Sequence, residues 1–345
     1  MPSERRAASL YLGLSAATGF LEIGSVIATY QLGHNTVLAL AAGAAYQAAT
    51  ALHSVVSVPR IGRCTLALMA IATIVFSFEA ALAWVLVPST FALAVLLQTS
   101  REEAASSSHV SKGVKRASRI LGFAAAGLCG SSALLAFGCL LCVIQLVRPG
   151  KPSSAPVKGV KPDGWGGALM TLHHAHYFAY AYTLVLVLMS AGIPVATVGV
   201  CFGIGWISYA LTPKLLRGGP PLRTLIAGHT VVAVALMMMA TSPGLALLLT
   251  LWVITGFGGG TVFCIERLAL AWGPGRVTSL ETFENAGHVL GCSAALLVSL
   301  AGGGHSGAFI LGACFAVITI LLSIVGEVAH RTRDRVRRGG SEVFG

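Results

Sequence analysis

The apolar positions of the chain fall in long runs separated by short polar stretches, with no two-residue alternation inside them. The runs cover roughly residues 8–31, 36–58, 64–99, 118–147, 166–189, 192–212, 222–241, 244–266, 279–301 and 306–329. Strands of a membrane barrel alternate apolar and polar residues over about ten positions. Unbroken runs of about 18 residues or more, rich in Leu, Ala, Val and Gly, instead predict membrane-crossing helices, whose backbone groups are satisfied internally. Two runs exceed what one helix needs to cross about 30 Å at 1.5 Å per residue. Thr65–Leu97 contains Pro88 and predicts a hairpin of two helices. Leu121–Val147 has a Gly- and Ser-containing break at 127–132 and reads as either one tilted helix or two short ones. The expected fold is an all-α polytopic membrane protein with 11–12 transmembrane helices in two bundles.

The charges between the runs refine this picture. Lys and Arg number 23 against 12 Asp and Glu, a net charge of +11. They cluster at Arg60/Arg63, Lys112/Lys115/Arg116/Arg119, Arg148/Lys151/Lys158/Lys161, Lys214/Arg217/Arg223, Arg267/Arg276 and Arg331/Arg333/Arg335/Arg337/Arg338. Short basic clusters between apolar runs are what cytoplasmic loops carry, so no nucleic-acid partner is implied. If all the clusters lie inside, both long runs are hairpins and the count is twelve. If only the first is a hairpin, eleven helices result and the later loops face out. The segment 148–165, rich in Pro, Gly, Ser and Lys, should stay solvated as a linker. It divides the chain into an N-terminal bundle (1–147), a central cytoplasmic linker (148–165), a C-terminal bundle (166–330) and a basic cytoplasmic tail (331–345). The expected location is the cell (inner or cytoplasmic) membrane, with both termini inside and the chain monomeric.

Composition agrees. Residues of hydrophobic type make up 55% of the chain and charged ones only 10%, where soluble domains carry roughly a quarter charged residues. The run after Arg5 and Arg6 is long enough to span, so it reads as a first helix and not as a cleaved signal. The eight cysteines fall almost entirely inside apolar runs. Even the Cys139/Cys142 pair reads as small hydrophobes, given its apolar surroundings.

Several stretches resemble the major facilitator superfamily. PRIGRC (Pro59–Cys64) is similar to the end of that family's cytoplasmic loop motif, with Gly62 and Arg63 matching and the motif's aspartate absent. The loop Leu211–Gly219 has the same basic character. Ile254–Gly260 looks like the family's glycine-rich tenth helix, and Glu281–Gly291 with the following run looks like its last helix pair. The family's arginine motif in the fourth helix is not recognisable, and the chain is short between 100 and 147. The resemblance implies two bundles that rock around a central cavity, giving alternating access to a small-molecule substrate.

Few residues in the runs can carry chemistry. An ionisable group inside a bilayer costs a few kcal/mol and usually faces a polar cavity. Glu22 stands mid-run with Thr18 and Ser25 about one turn away and Thr29 about two, either a cavity-facing carboxylate or a structural hydrogen-bond acceptor. Glu281, Glu284, Asn285 and His288 are spaced to stack on one helical face, as a proton or cation path or as a solvated helix end. In LHHAHYFAYAYT, His173, His176, Tyr177 and Tyr180 share a face that suits a substrate cavity, a metal, or an interfacial belt. We assign Glu22, His173, His176, Tyr177, Tyr180, Glu281, Glu284, Asn285 and His288 to a substrate and proton pathway, with no metal and no cofactor. Glu79 is as compatible with the outer interface as with the cavity.

The function this reading points to is a secondary active transporter, proton-coupled, exporting a small polar or cationic metabolite. Its partners are the solute, protons or another coupling ion, and the lipid bilayer. No phosphate-binding Walker sequence occurs, so an ion gradient is the expected energy source. Two alternatives stand beside it. One is a membrane-embedded metalloenzyme built on the His173/His174/His176 cluster. That needs about eight ligands, and the other histidines are scattered singly. The other is an inactive, shortened transporter relative.

Overall fold

The computed structural model describes residues 2–54, 63, 66–72, 75, 82–105, 114–128, 164–272 and 280–341. Among these there is no strand. The helices are α1 (Pro2–Gly33), α2 (Thr36–His53), α3 (Leu86–Ala105), α4 (114–128), α5 (Gly164–Ser190), α6 (Val195–Leu216), α7 (Pro221–Ala240), α8 (Leu245–Gly259), α9 (Phe263–Trp272), α10 (Glu281–Leu300) and α11 (Gly304–Ser341). Residues 66–72 are helical as well. Seven stretches among the described residues are long and apolar enough to cross a membrane.

Local sequence explains the boundaries. Asn35 caps α2 by accepting the Leu38 N–H at 3.1 Å, which satisfies one of the orphan donors of a helix start. Pro88 stands inside a helix. The helix entry lies upstream, in a 3-10 turn at Ala83–Val85, and Pro88 sits in the first turn of α3, where its missing N–H costs nothing. The tail also differs from expectation: α11 runs on to Ser341 instead of ending near 330. Two pairs at i,i+4 support the extension, Arg331 to Glu327 at 2.7 Å and His330 to Asp334 at 3.3 Å. Residues 129–147, most of the 148–165 linker, Gly62, Glu79 and the Cys139/Cys142 pair lie outside the described residues.

The centre of the array is α5, buried on every side for most of its length, as a helix enclosed by other helices must be. It packs mainly against α10 and α11, while α1, α2 and α3 pack on one another. The two groups meet along α2 and α10. They also meet where α4 crosses α6, with Phe123 against Phe202 at 5.0 Å between ring centroids. Small residues make the close crossings possible. A Cβ on Gly199 would strike the Phe123 carbonyl, and one on Gly291 the Ala175 carbonyl. The run Gly256–Gly260 works in the same way, its glycines seated on α6 and α7.

Charge is distributed along one axis only. Apart from Arg63 and from Arg267 in the middle of α9, every Lys and Arg among the described residues lies in the first turns of α1, α4 or α7 or toward the end of α3, α6 or α11. The connections at the opposite end, 34–35, 191–194, 241–244 and 301–303, hold no Lys or Arg.

Candidate functional site

Glu22 is completely buried in the middle of α1. A carboxylate so placed needs a cation or several donors, and it has both. Arg119 of α4 binds its Oε2 through Nη2 at 2.5 Å and through Nε at 3.1 Å. Gln47 of α2 and the hydroxyl of Tyr182 on α5 each donate to Oε1 at 3.3 Å, and Gln47 also donates to the Tyr182 oxygen at 2.6 Å. The guanidinium lies over the ring of Trp206 on α6, 4.9 Å from its centroid. Five helices thus converge on one ion pair.

Two adjoining cavities open beside it. One, of about 480 Å³, is lined by Gln47, Thr50, Gln98, Arg101 and Arg119 on one side. Glu266, Glu281, Glu284, Asn285 and His288 face them across it. The other, of about 240 Å³, is lined by Lys115, Arg116, Arg119, His173, His174, Tyr177 and Trp206, among others. Arg101, Arg119, Glu284 and His288 line both, so they form two lobes of one polar vestibule at the basic end of the array. Cations from α3 and α4 face carboxylates from α9 and α10 across it.

The histidines form two groups on opposite faces of α5. His174 Nδ1 and His288 Nε2 are 3.0 Å apart, and Glu284 Oε1 lies 3.9 and 3.8 Å from their Nε2 atoms. Phe178 packs on His288 at 4.3 Å between centroids. On the other face, His173 Nδ1 lies 3.0 Å from His229 Nε2 of α7, and His176 packs against both rings.

No protein-family model and no curated protein matches this sequence. Solved structures do. The human organic anion transporter MFSD10 (TETRAN) is 14% identical with a TM-score of 0.56, over 94% of this chain and 100% of that one. A bacterial homologue of the iron transporter ferroportin, in an outward-facing state, is 13% identical with a TM-score of 0.54, over 92% of this chain and 98% of that one. The POT family transporter PepTSo is 10% identical with a TM-score of 0.62, over 95% of this chain and 98% of that one. The fold is similar to that of these solved transporters. Identities this low establish the architecture alone.

Within this fold the sequence-derived residues divide. Glu284 and His288 line both lobes of the vestibule, Glu281 and Asn285 the larger one, and His173 and Tyr177 the smaller. Glu22 is not on the cavity wall; it reaches the vestibule through Arg119. His176 and Tyr180 are buried away from both lobes, so Glu22, Glu284 and His176 do not share one cavity wall. Arg63 is helical and buried.

Sequence reasoning missed three partners. Arg119 reads as the last of a loop cluster, yet it stands on α4, already helical from residue 114; its position one residue inside the 118–147 run was the available signal. His229 reads as a scattered histidine, and only the packing of α7 on α5 brings it to His173 and His176. His174, assigned no partner, is the one that meets Glu284 and His288.

Proposed function

We propose that the protein is a secondary active transporter that moves a small polar or cationic solute by alternating access, linked to protons and in the export direction. The observation that carries this is the vestibule: a charge-lined cavity between helices of the two halves of the chain, ending on a buried ion pair of the first half that Tyr182 and Trp206 of the second half contact. The transporter fold supports a carrier over a catalyst, and the export direction rests on the resemblance alone.

The one-ended distribution of Lys and Arg supports placing that end in the cytoplasm of a cell membrane, together with both termini. The vestibule then faces inward. At its inner end, a proton on Glu22 would cancel the charge that holds Arg119, freeing the guanidinium and loosening α4 from α1. Glu284, with His174 and His288, stands in the path of ions entering from the basic end and is the first proton acceptor of that path. A solute carrying positive charge is received by Glu266, Glu281 and Glu284.

The test is flux into proteoliposomes under an imposed proton gradient, with cationic and zwitterionic solutes offered in turn. Accumulation that collapses on adding an uncoupler supports the proton link. Flux that persists unchanged without a gradient overturns it.

A further inference from the structure

We infer that His173, His176 and His229 form a binding site for a first-row transition-metal dication, with zinc as the type ion. All three side chains are at most 1% exposed, and one ligand atom from each lies within 4.8 Å of the others. Two helices supply them, α5 at positions i and i+3 and α7 from across the interface.

The hydrogen bonds already orient the set. His229 Nδ1 lies 2.9 Å from the Leu225 carbonyl. A carbonyl only accepts, so that nitrogen carries the hydrogen, and Nε2 of the neutral ring presents its lone pair to the cluster. This N–H to carbonyl brace is the outer-shell contact that metal-bound histidines make. His173 Nδ1 then donates to His229 Nε2 at 3.0 Å. A structural role would account for this pair, but not for His176. Both of its ring nitrogens are buried and meet no side-chain partner, with the His173 backbone beside the ring, and an unsatisfied buried group costs about 1–3 kcal/mol. A metal ion turns that cost into a bond.

The dimensions suit the ion. Zinc–nitrogen bonds of about 2.0–2.1 Å in a tetrahedron put the nitrogens roughly 3.4 Å apart. The 3.0 Å pair, with the third ligand atom within 4.8 Å of both, is compatible with that separation. On binding through Nδ1, His173 keeps its neutral charge by carrying its hydrogen on Nε2. Three imidazoles leave the fourth tetrahedral position open to water. Access exists too, because His173 lines the smaller lobe of the vestibule. Its ring centroid stands 5.0 Å from that of His174, in the cavity-side group.

Binding is measured without flux, so the site stands or falls separately from the transport reading. Full-length protein in detergent, stripped with a chelator, is titrated with Zn²⁺ by calorimetry and with Co²⁺ by visible absorption. The expected result is one tight ion per chain and the intense bands of four-coordinate cobalt. His176→Ala removes no side-chain hydrogen bond, so it should fold, weaken binding at least ~100-fold, beyond the upper end of an outer-shell loss, and abolish the bands. His229→Gln should do the same, and His288→Ala should leave both readouts in place. Absence of binding in the unaltered protein overturns the assignment. So does unchanged affinity in both triad variants, or a loss confined to His288→Ala.

Discussion

Arg119 Nη2 stands 2.5 Å from Glu22 Oε2, a bond between α4 and α1 across 97 positions of sequence. The carboxylate is fully buried, while about a quarter of the guanidinium side chain is exposed toward the vestibule. One partner is therefore sealed in the helix bundle and the other reaches the water. That asymmetry lets a change in the cavity act on the packing of α1, α2, α4 and α5.

Glu22→Gln should leave Arg119 without its counter-charge. Breaking a buried pair costs about 3–5 kcal/mol, and the exposure of Arg119 puts this site at the low end. The variant should unfold at a lower temperature in detergent and lose transport. Adding Arg119→Gln should recover part of the stability and none of the transport. If the single variant is as stable as the double, the two side chains are not coupled.

Glu284→Gln tests the vestibule instead. The side chain is 43% exposed, so its loss should leave thermal stability within about 0.5 kcal/mol, as for other surface changes. Uphill solute movement in proteoliposomes should fall to the level seen without a gradient. A variant that still accumulates solute removes Glu284 from the proton path.

Gly291→Ala places a methyl against the Ala175 carbonyl where α10 crosses α5. Overpacking of this kind costs about 1–3 kcal/mol. In Gly13, by contrast, a Cβ meets nothing within 4 Å, and Ala favours a helix interior by up to about 1 kcal/mol. Thermal unfolding should therefore shift down in the first variant and hold or rise in the second. Equal behaviour would mean that α10 and α5 do not touch through Gly291.

Periodicity made the helices legible because the solvent leaves few other choices. A run such as 222–241 has, after Arg223, no polar residue able to compete with the backbone except His229 and three threonines, and α7 matches it closely. The 3.6-residue repeat likewise brought Glu284 and His288 together in advance. What it could not supply was contact between helices distant in sequence. Arg119 and His229 acquire their roles only when α4 meets α1 and α7 meets α5.

Cysteine accessibility tests the carrier mechanism most directly. Thr50 lines the larger lobe of the vestibule, and Thr50→Cys in a background lacking the eight native cysteines places one thiol there. In sealed vesicles, a membrane-impermeant thiol reagent should label it rapidly from the basic end and slowly, but to completion, from the opposite end. Labelling from one side only, however long the exposure, would contradict alternating access.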